Sequence, residues 1–334
     1  MLLCLRSTHE DRPGPKWQTL FEAYWPEFES WFLSEGYRAR PGYVTSLKKL
    51  RQHMPELLPT YERLVELAGG GDLAARFLSL YRPPPYVMGC SQAVWPGPDP
   101  VLVRNYDYRP ASFEGNLLRT CWHRPVIAMT DCAWGVLDGI NDAGLAVSLS
   151  FGGKKLLGDG FGIPLILRYV LEFCEDVAMA TEVLRRIPTH MPYNVTVVDR
   201  EGAFATVYLC PGYPAVVADS RVCTNHQQRV EWEDYARMSS TVERREFMET
   251  RLADPAETGG RFIGRFLRPP LYNTRYEQAF GTLYTASYYP VSLQAEYRWP
   301  HQETLRQSFS DFREGERRVY LGLPSIQKQD VLGD

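Results

Sequence analysis

The chain has no run of about twenty apolar residues that could span a bilayer. Met1 to Arg12 has only a short apolar stretch before Arg6, His9, Glu10 and Asp11, and so reads as no secretory leader. There is no basic tract, no low-complexity segment and no internal repeat. With a formal charge of −3 neither sign dominates, so neither a nucleic acid nor an anionic membrane is expected as partner. The seven cysteines (Cys4, Cys90, Cys121, Cys132, Cys174, Cys210 and Cys223) are odd in number, scattered and free of any CxxC pair. That argues against a zinc site and a disulfide framework, and points to a reducing cytoplasm. A Gly-rich phosphate loop is also missing. What remains is globular, since 334 residues with 44% hydrophobic and 13% aromatic content can bury a large core in one domain or two.

Residues 15–82 read as helical. Leu47, Leu50, Met54, Leu57, Tyr61, Leu64 and Leu67 recur at steps of three and four, interrupted at Pro55 and Pro59 and stopped by Gly69-Gly70-Gly71. Asp72 then opens a short helix to Tyr81, and Pro83-Pro84-Pro85 forces an extended lead into Gly89-Cys90. Beyond Cys90 strands take over: 101–108, 144–151, and a hairpin of 194–198 with 203–209 about the turn Asp199-Arg200-Glu201-Gly202. Residues 163–188 have helical spacing broken near Glu175-Asp176, and 282–287, 296–299 and 318–321 read as further strands. The predicted organisation is a helical segment 1–89, acting as propeptide or small subunit, followed by a catalytic domain 90–334.

Cys90 is the candidate nucleophile. A thiol attacks only as thiolate and needs a positive neighbour or a base, and Arg104 in the next strand is the candidate neighbour. Were the chain cut at Gly89-Cys90, the new α-amine could take the thiol proton and later protonate a leaving amine. Asp107 falls on the face opposite Arg104 if that strand is regular, so a bend or bulge is needed for both to point inward. Gly89 is expected to permit the strained backbone of such an acyl shift. Taken singly these residues have plainer readings: Cys90 as a small core hydrophobe, Arg104 and Asp107 as a surface ion pair, Asn225 as a turn cap, His226 as a surface or supporting histidine.

Five short motifs stand in one order: Gly89-Cys90-Ser91, Val103-Arg104-Asn105-Tyr106-Asp107, Asp138-Gly139-Ile140-Asn141-Asp142-Ala143-Gly144-Leu145, Asp199-Arg200-Glu201-Gly202 and Cys223-Thr224-Asn225-His226. In that order, over residues 86–325, the chain resembles the choloylglycine hydrolase superfamily of N-terminal-nucleophile hydrolases. It is most similar to the branch containing acyl-coenzyme A:6-aminopenicillanic acid acyltransferase. The resemblance implies an α+β, four-layer αββα sandwich of two mostly antiparallel sheets. It implies Cys90 as nucleophile, Arg104 beside it, Asp107 on the nucleophile's amine and sulfur, Asn225 as oxyanion donor, and Arg244 as a further active-site arginine, with Arg245 as the alternative register. Ser150 stands where relatives place a second oxyanion-hole asparagine, so its backbone NH is the substitute donor.

The expected activity is that of an autoproteolytic cysteine amidohydrolase or acyltransferase, working on linear non-peptide amides through a thioester, with no metal or cofactor. Fragments 1–89 and 90–334 would stay associated. The partner is a small-molecule amide or acyl donor, with acyl-CoA and homo-oligomerisation left open. Tyr106, Tyr108, Trp134, Phe151, Tyr284 and Tyr288 point to an apolar acyl pocket, with core packing as the competing explanation. Two other readings stand beside this one: an uncut scaffold of the same fold, and a papain-like hydrolase using Cys90 with His226.

Overall fold

The computed structural model describes residues 1–322 apart from Ala279; the stretch 323–334, assigned above to the catalytic part, lies outside the described residues. The chain opens with β1 (Leu2–Glu10), then α1 (Pro15–Phe32), α2 (Tyr43–His53), α3 (Leu58–Leu67) and α4 (Asp72–Leu78). The first residues are therefore strand rather than part of a purely helical segment. β1 lies parallel to a strand more than a hundred residues away and antiparallel to one more than three hundred away, so no local pattern announces it.

After the proline lead come β2 (Gly89–Trp95), β3 (Val101–Tyr108), β4 (Asn116–Cys121), β5 (Pro125–Asp131), β6 (Gly135–Asn141) and β7 (Ala146–Phe151). The helices α5 (Ile163–Phe173) and α6 (Val177–Arg186) follow. The break between them is fixed by Asp176, whose carboxylate caps α6 by accepting the Met179 N–H at 2.8 Å. β8 (Tyr193–Val198) and β9 (Phe204–Leu209) form the expected hairpin. In its turn Asp199 Oδ1 accepts the Glu201 and Ala203 amides, and Gly202 takes φ 82°. Then come β10 (Val216–Ala218), β11 (Val222–Cys223), α7 (Glu233–Ser239), α8 (Thr241–Leu252), α9 (Gly259–Arg265), β12 (Thr274–Arg275), β13 (Phe280–Tyr289), β14 (Gln294–Arg298), β15 (Leu305–Ser308) and β16 (Gly315–Tyr320).

A nine-stranded sheet has the order β10-β9-β8-β7-β6-β5-β4-β1-β16, antiparallel except for β1 on β4. A smaller sheet, β11-β2-β3-β13-β14-β15 with β12 on β13, packs against it. Strand alternation divides the burial. Cys90, Val94, Leu102 and Tyr106 face the large sheet in the main core, whereas Ala93, Val101 and Val103 face outward onto Met248 of α8 and Phe262 and Ile263 of α9. With α5 and α6 on the other side of the large sheet, the layers are helix, sheet, sheet, helix, as the sequence predicted.

Candidate active site

Cys90 is fully buried near the start of β2, in register with Tyr106 of β3. Its Sγ lies 3.1 Å from Arg104 Nη2. Arg104 Nη1 donates to the Leu137 carbonyl and to Asp138 Oδ2, both at 2.7 Å. Asp138 in turn accepts from Tyr284 at 2.5 Å and from Tyr288, whose hydroxyl meets that of Tyr297 at 2.8 Å. All of these side chains are buried to within 1%. A buried guanidinium without a counter-ion would be strongly unfavourable, so Asp138 is what allows Arg104 to stand beneath the sulfur. In the sequence Asp138 only opens the motif Asp138–Leu145 and is assigned no role. The available signal was a lone carboxylate inside the apolar run 134–140.

The other half of the site comes from the opposite side of the small sheet. β3 is regular against β2, so Arg104 and Asp107 do face opposite ways, and the irregularity sits on the neighbour β13, between Thr282 and Tyr284. That bulge sends Thr282 to Asp107 Oδ1 at 2.6 Å on one face and Tyr284 to Asp138 on the other. No inward bend of β3 is required, because a residue at a strand end can be reached from both faces.

On the outer face Arg244 of α8 gathers the groups. Its Nη1 donates to the Cys90 carbonyl and Ser91 Oγ at 2.7 Å each, its Nη2 to Asn225 Oδ1 at 2.7 Å, and Nη1 stands 3.7 Å from Asp107 Oδ2. Asp107 Oδ2 has no hydrogen-bond partner although it is buried. Arg245 points elsewhere and pairs with Glu249 at 2.8 Å.

Asn225 Oδ1 also accepts the Cys90 N–H at 2.9 Å. Both of its donors lack any acceptor alternative, which fixes the amide orientation and turns Nδ2 toward the Met88 and Phe151 carbonyls, 3.3 Å each. Thr241 holds the loop by accepting the Asn225 N–H at 2.7 Å. Ser150 Oγ donates to the Thr224 carbonyl at 2.7 Å, and Ser150 sits opposite Asn194 in the β7–β8 ladder. Its hydroxyl thus steadies the Asn225 loop.

His226 is 8% exposed and bonds through Nδ1 to Thr241 Oγ1 at 2.9 Å. Burial and then the nearby Arg245 and Arg244 push its pKa down to about 4. It makes no hydrogen bond to Cys90, and Cys90 starts a strand, not a helix, so the papain-like arrangement is not the one built. Thr241, Tyr235 and Arg244 lie in a polar helical stretch that gave no positional signal beyond the family pattern.

Burial raises the Cys90 thiol to about 11, with Arg104 pulling it down and Asp107 pushing it up. Burial raises both Asp107 and Asp138, against the lowering effect of Arg244 and Arg104 respectively. Gly89 has no positive φ; its role is contact. A Cβ there would lie 2.1 Å from the Phe280 ring, so closeness of packing, in place of the expected backbone strain, requires glycine. The lead segment covers the site, with the Met88 carbonyl taking the Tyr235 hydroxyl at 2.5 Å. A cavity of about 1040 Å³ is not lined by Cys90; one of its lining residues, Trp232, packs on Phe151 and Tyr235.

The acyl-coenzyme A:6-aminopenicillanic acid acyl-transferase family matches residues 95–304, more than half of the chain and starting just after Cys90. The chain belongs to this family. Membership makes it an enzyme of the amide-hydrolase and acyltransferase kind. Among curated proteins none matches significantly. Solved structures similar to this acyl-transferase family member include penicillin V acylase from Agrobacterium tumefaciens (14% identity, 71% of this chain and 93% of that one, TM-score 0.48). Others are a variant of the conjugated bile acid hydrolase from Clostridium perfringens (13%, 73% and 100%, 0.45) and the Caenorhabditis elegans ortholog of N-acylethanolamine-hydrolyzing acid amidase (13%, 69% and 100%, 0.45). At such low similarity none of them decides anything about the site.

Proposed function

We propose that the chain cuts itself between Gly89 and Cys90 and then acts as an N-terminal-cysteine amidohydrolase or acyltransferase on linear amides. In the first reaction Cys90 Sγ bonds to the Gly89 carbonyl carbon, the Gly89–Cys90 C–N bond breaks, and the nitrogen takes up a proton. The resulting thioester is hydrolysed to a Gly89 carboxylate and a free thiol. The freed α-amine, with an ordinary pKa of about 7.7 to 8.0, then replaces an amide that cannot carry a proton. A thiol held near 11 needs such an acceptor, and the α-ammonium that forms finds the unpartnered Asp107 Oδ2 within the site.

In turnover the sulfur attacks the substrate carbonyl. Asn225 Nδ2 receives the oxyanion once Met88 has withdrawn, a contribution of about 3 to 4 kcal/mol for one positioned donor. The leaving amine takes the α-ammonium proton, and water or a second amine resolves the thioester. The convergence of Arg104, Asn225 and Arg244 on Cys90 is the observation that carries this reading. Fragments 1–89 and 90–334 would remain together, because β1 lies inside the large sheet between β4 and β16. The free cysteines suit a reducing compartment. Among the described residues no helix is long and apolar enough to cross a membrane.

The test is the denatured intact mass of the wild-type protein beside Cys90→Ala. Two fragments, the larger starting at Cys90 and both absent from the variant, are expected. A single 38.3 kDa species in both would overturn self-cleavage and favour an uncut scaffold.

A further inference from the structure

Two buried donors beside Cys90 converge on a single oxygen. Asn225 Nδ2 donates to the Met88 carbonyl at 3.3 Å, and the Tyr235 hydroxyl donates to the same carbonyl at 2.5 Å. Through Oδ1 the same Asn225 amide accepts the Cys90 N–H at 2.9 Å, so the donor pair stands against the residue that carries the sulfur. Met88 and Asn225 are fully buried and Tyr235 nearly so. In such a dry setting a fixed donor acts on a developing negative charge with little screening by water. The chemistry above uses the amide but gives the hydroxyl no part.

The plain reading of Tyr235 is a tether for the lead segment. That leaves unexplained why its partner is the very oxygen that the oxyanion donor Asn225 also meets. Position 150 sends no side-chain donor there, because Ser150 Oγ is engaged by the Thr224 carbonyl at 2.7 Å. Tyr235 is also held as firmly as a preorganised donor must be. Its ring, on α7, lies edge-on to Phe151 and tilted to Trp232, 5.2 Å from each. The Phe151 carbonyl accepts from Asn225 Nδ2 at 3.3 Å, so one residue of β7 braces both donors. Burial raises the Tyr235 pKa well above its usual range, which keeps the hydroxyl protonated near neutral pH.

We propose that Tyr235 Oη and Asn225 Nδ2 together form the oxyanion hole of this enzyme, with the Met88 carbonyl filling it in the uncut chain. The proposal deepens the catalytic reading and rests on Cys90 being the acylated nucleophile. When Sγ bonds to a substrate carbonyl carbon, the carbonyl oxygen becomes an oxyanion in the place that the Met88 oxygen has left, and both donors meet it. As the C=O bond re-forms, the bond to the leaving group breaks and the donors face a neutral thioester oxygen. Both hydrogen bonds are charge-assisted only while the oxyanion exists, so they lower the barrier more than they tighten substrate binding. The self-cut attacks the Gly89 carbonyl while Met88 fills the hole, so it proceeds without this hydroxyl.

The test compares wild type with Tyr235→Phe, each as the full chain after self-cleavage. Two rates are read from the mass of the Cys90 peptide: acetylation by p-nitrophenyl acetate, which passes through an oxyanion and releases p-nitrophenolate, and alkylation by iodoacetamide, which forms none. Tyr235→Phe should still cut itself, become acetylated about a hundredfold or more slowly, and be alkylated within about twofold of the wild-type rate. Alkylation reports the thiolate, which a merely structural role of Tyr235 would disturb as much as acetylation. Acetylation unchanged, or both reactions slowed alike, overturns the hole and leaves Cys90 standing as nucleophile. A folded variant that stays uncut overturns it too, since the hydroxyl would then serve the cut. Should the phenylalanine variant not fold, 3-fluorotyrosine at position 235, nearly the same shape with a more acidic hydroxyl, should raise the ratio of acetylation to alkylation; an unchanged ratio overturns the hole. A wild type whose Cys90 is neither cut free nor acetylated sinks the nucleophile reading, and the hole with it.

Discussion

Replacing Asp138 by Asn should make the protein less stable and its nucleophile more acidic at the same time. The carboxylate lies 2.7 Å from Arg104 Nη1, and Cys90 Sγ lies 3.1 Å from Nη2 of the same guanidinium. Removing one member of a fully buried ion pair costs about 3 kcal/mol, because the other charge stays unpaired. At about 2 °C per kcal/mol for a chain of this size, the melting temperature should fall by about 6 °C. The effect on the sulfur has the opposite sense. Asp138 and Cys90 stand roughly 7 Å apart across the guanidinium, so at an effective dielectric constant of about 20 their repulsion as anions is about 2 kcal/mol. Without it, Arg104 is left to the thiolate alone, and the Cys90 pKa should drop by about one unit or somewhat more. Thiolate absorbance near 240 nm against pH, with the matching Cys90→Ala protein subtracted, reads the pKa; thermal unfolding reads the stability. A Cys90 pKa that stays put or rises in a folded Asp138→Asn protein would show that Asp138 does not share Arg104 with the sulfur.

Gly89→Ala should slow self-cleavage and cost about 2 kcal/mol through overpacking against Phe280, and adding Phe280→Leu should recover part of both; a cleavage time course and thermal unfolding of the two proteins check this, and additive effects would refute the contact. Arg244→Lys should lower kcat for amide turnover at least about tenfold, since a lysine cannot bridge the Cys90 carbonyl, Ser91 and Asn225 together. Arg245→Ala, away from the site, should leave turnover within about twofold, the difference being read from initial rates. His190 is 2% exposed, and burial pushes its pKa down to about 3. Its contribution is therefore complete above the unfolded value near 6.5 and is lost as pH falls below it, by about 1.4 kcal/mol per unit. Asp131, raised to about 6, acts in the opposite sense. Acidification from pH 7.5 to 5 should therefore raise the unfolding free energy of His190→Gln relative to that of wild type, by about 2 kcal/mol.

The sequence by itself determined the elements whose partners are close along the chain. Strand 101–108, the hairpin about Asp199–Gly202 and the helix break capped by Asp176 all follow from alternation, turn chemistry and a cap acting within a few residues. The order of the short motifs also carried the family, and with it Cys90, Arg104, Asn225 and Arg244 as a candidate set. Tertiary structure alone decided that the first ten residues are an inner strand, because the partners that satisfy β1 lie in β4 and β16. It decided that Asp138, a lone carboxylate in an apolar run with no partner indicated by the sequence, supplies the counter-ion to Arg104, and that Gly89 answers to Phe280, since contacts at such separations leave no periodic trace. It also made a site approached through both faces of one sheet. A strand's alternation sends Arg104 and Asp107 apart, and only the bulge in β13, with α8 packed outside, joins them again at the end of β2.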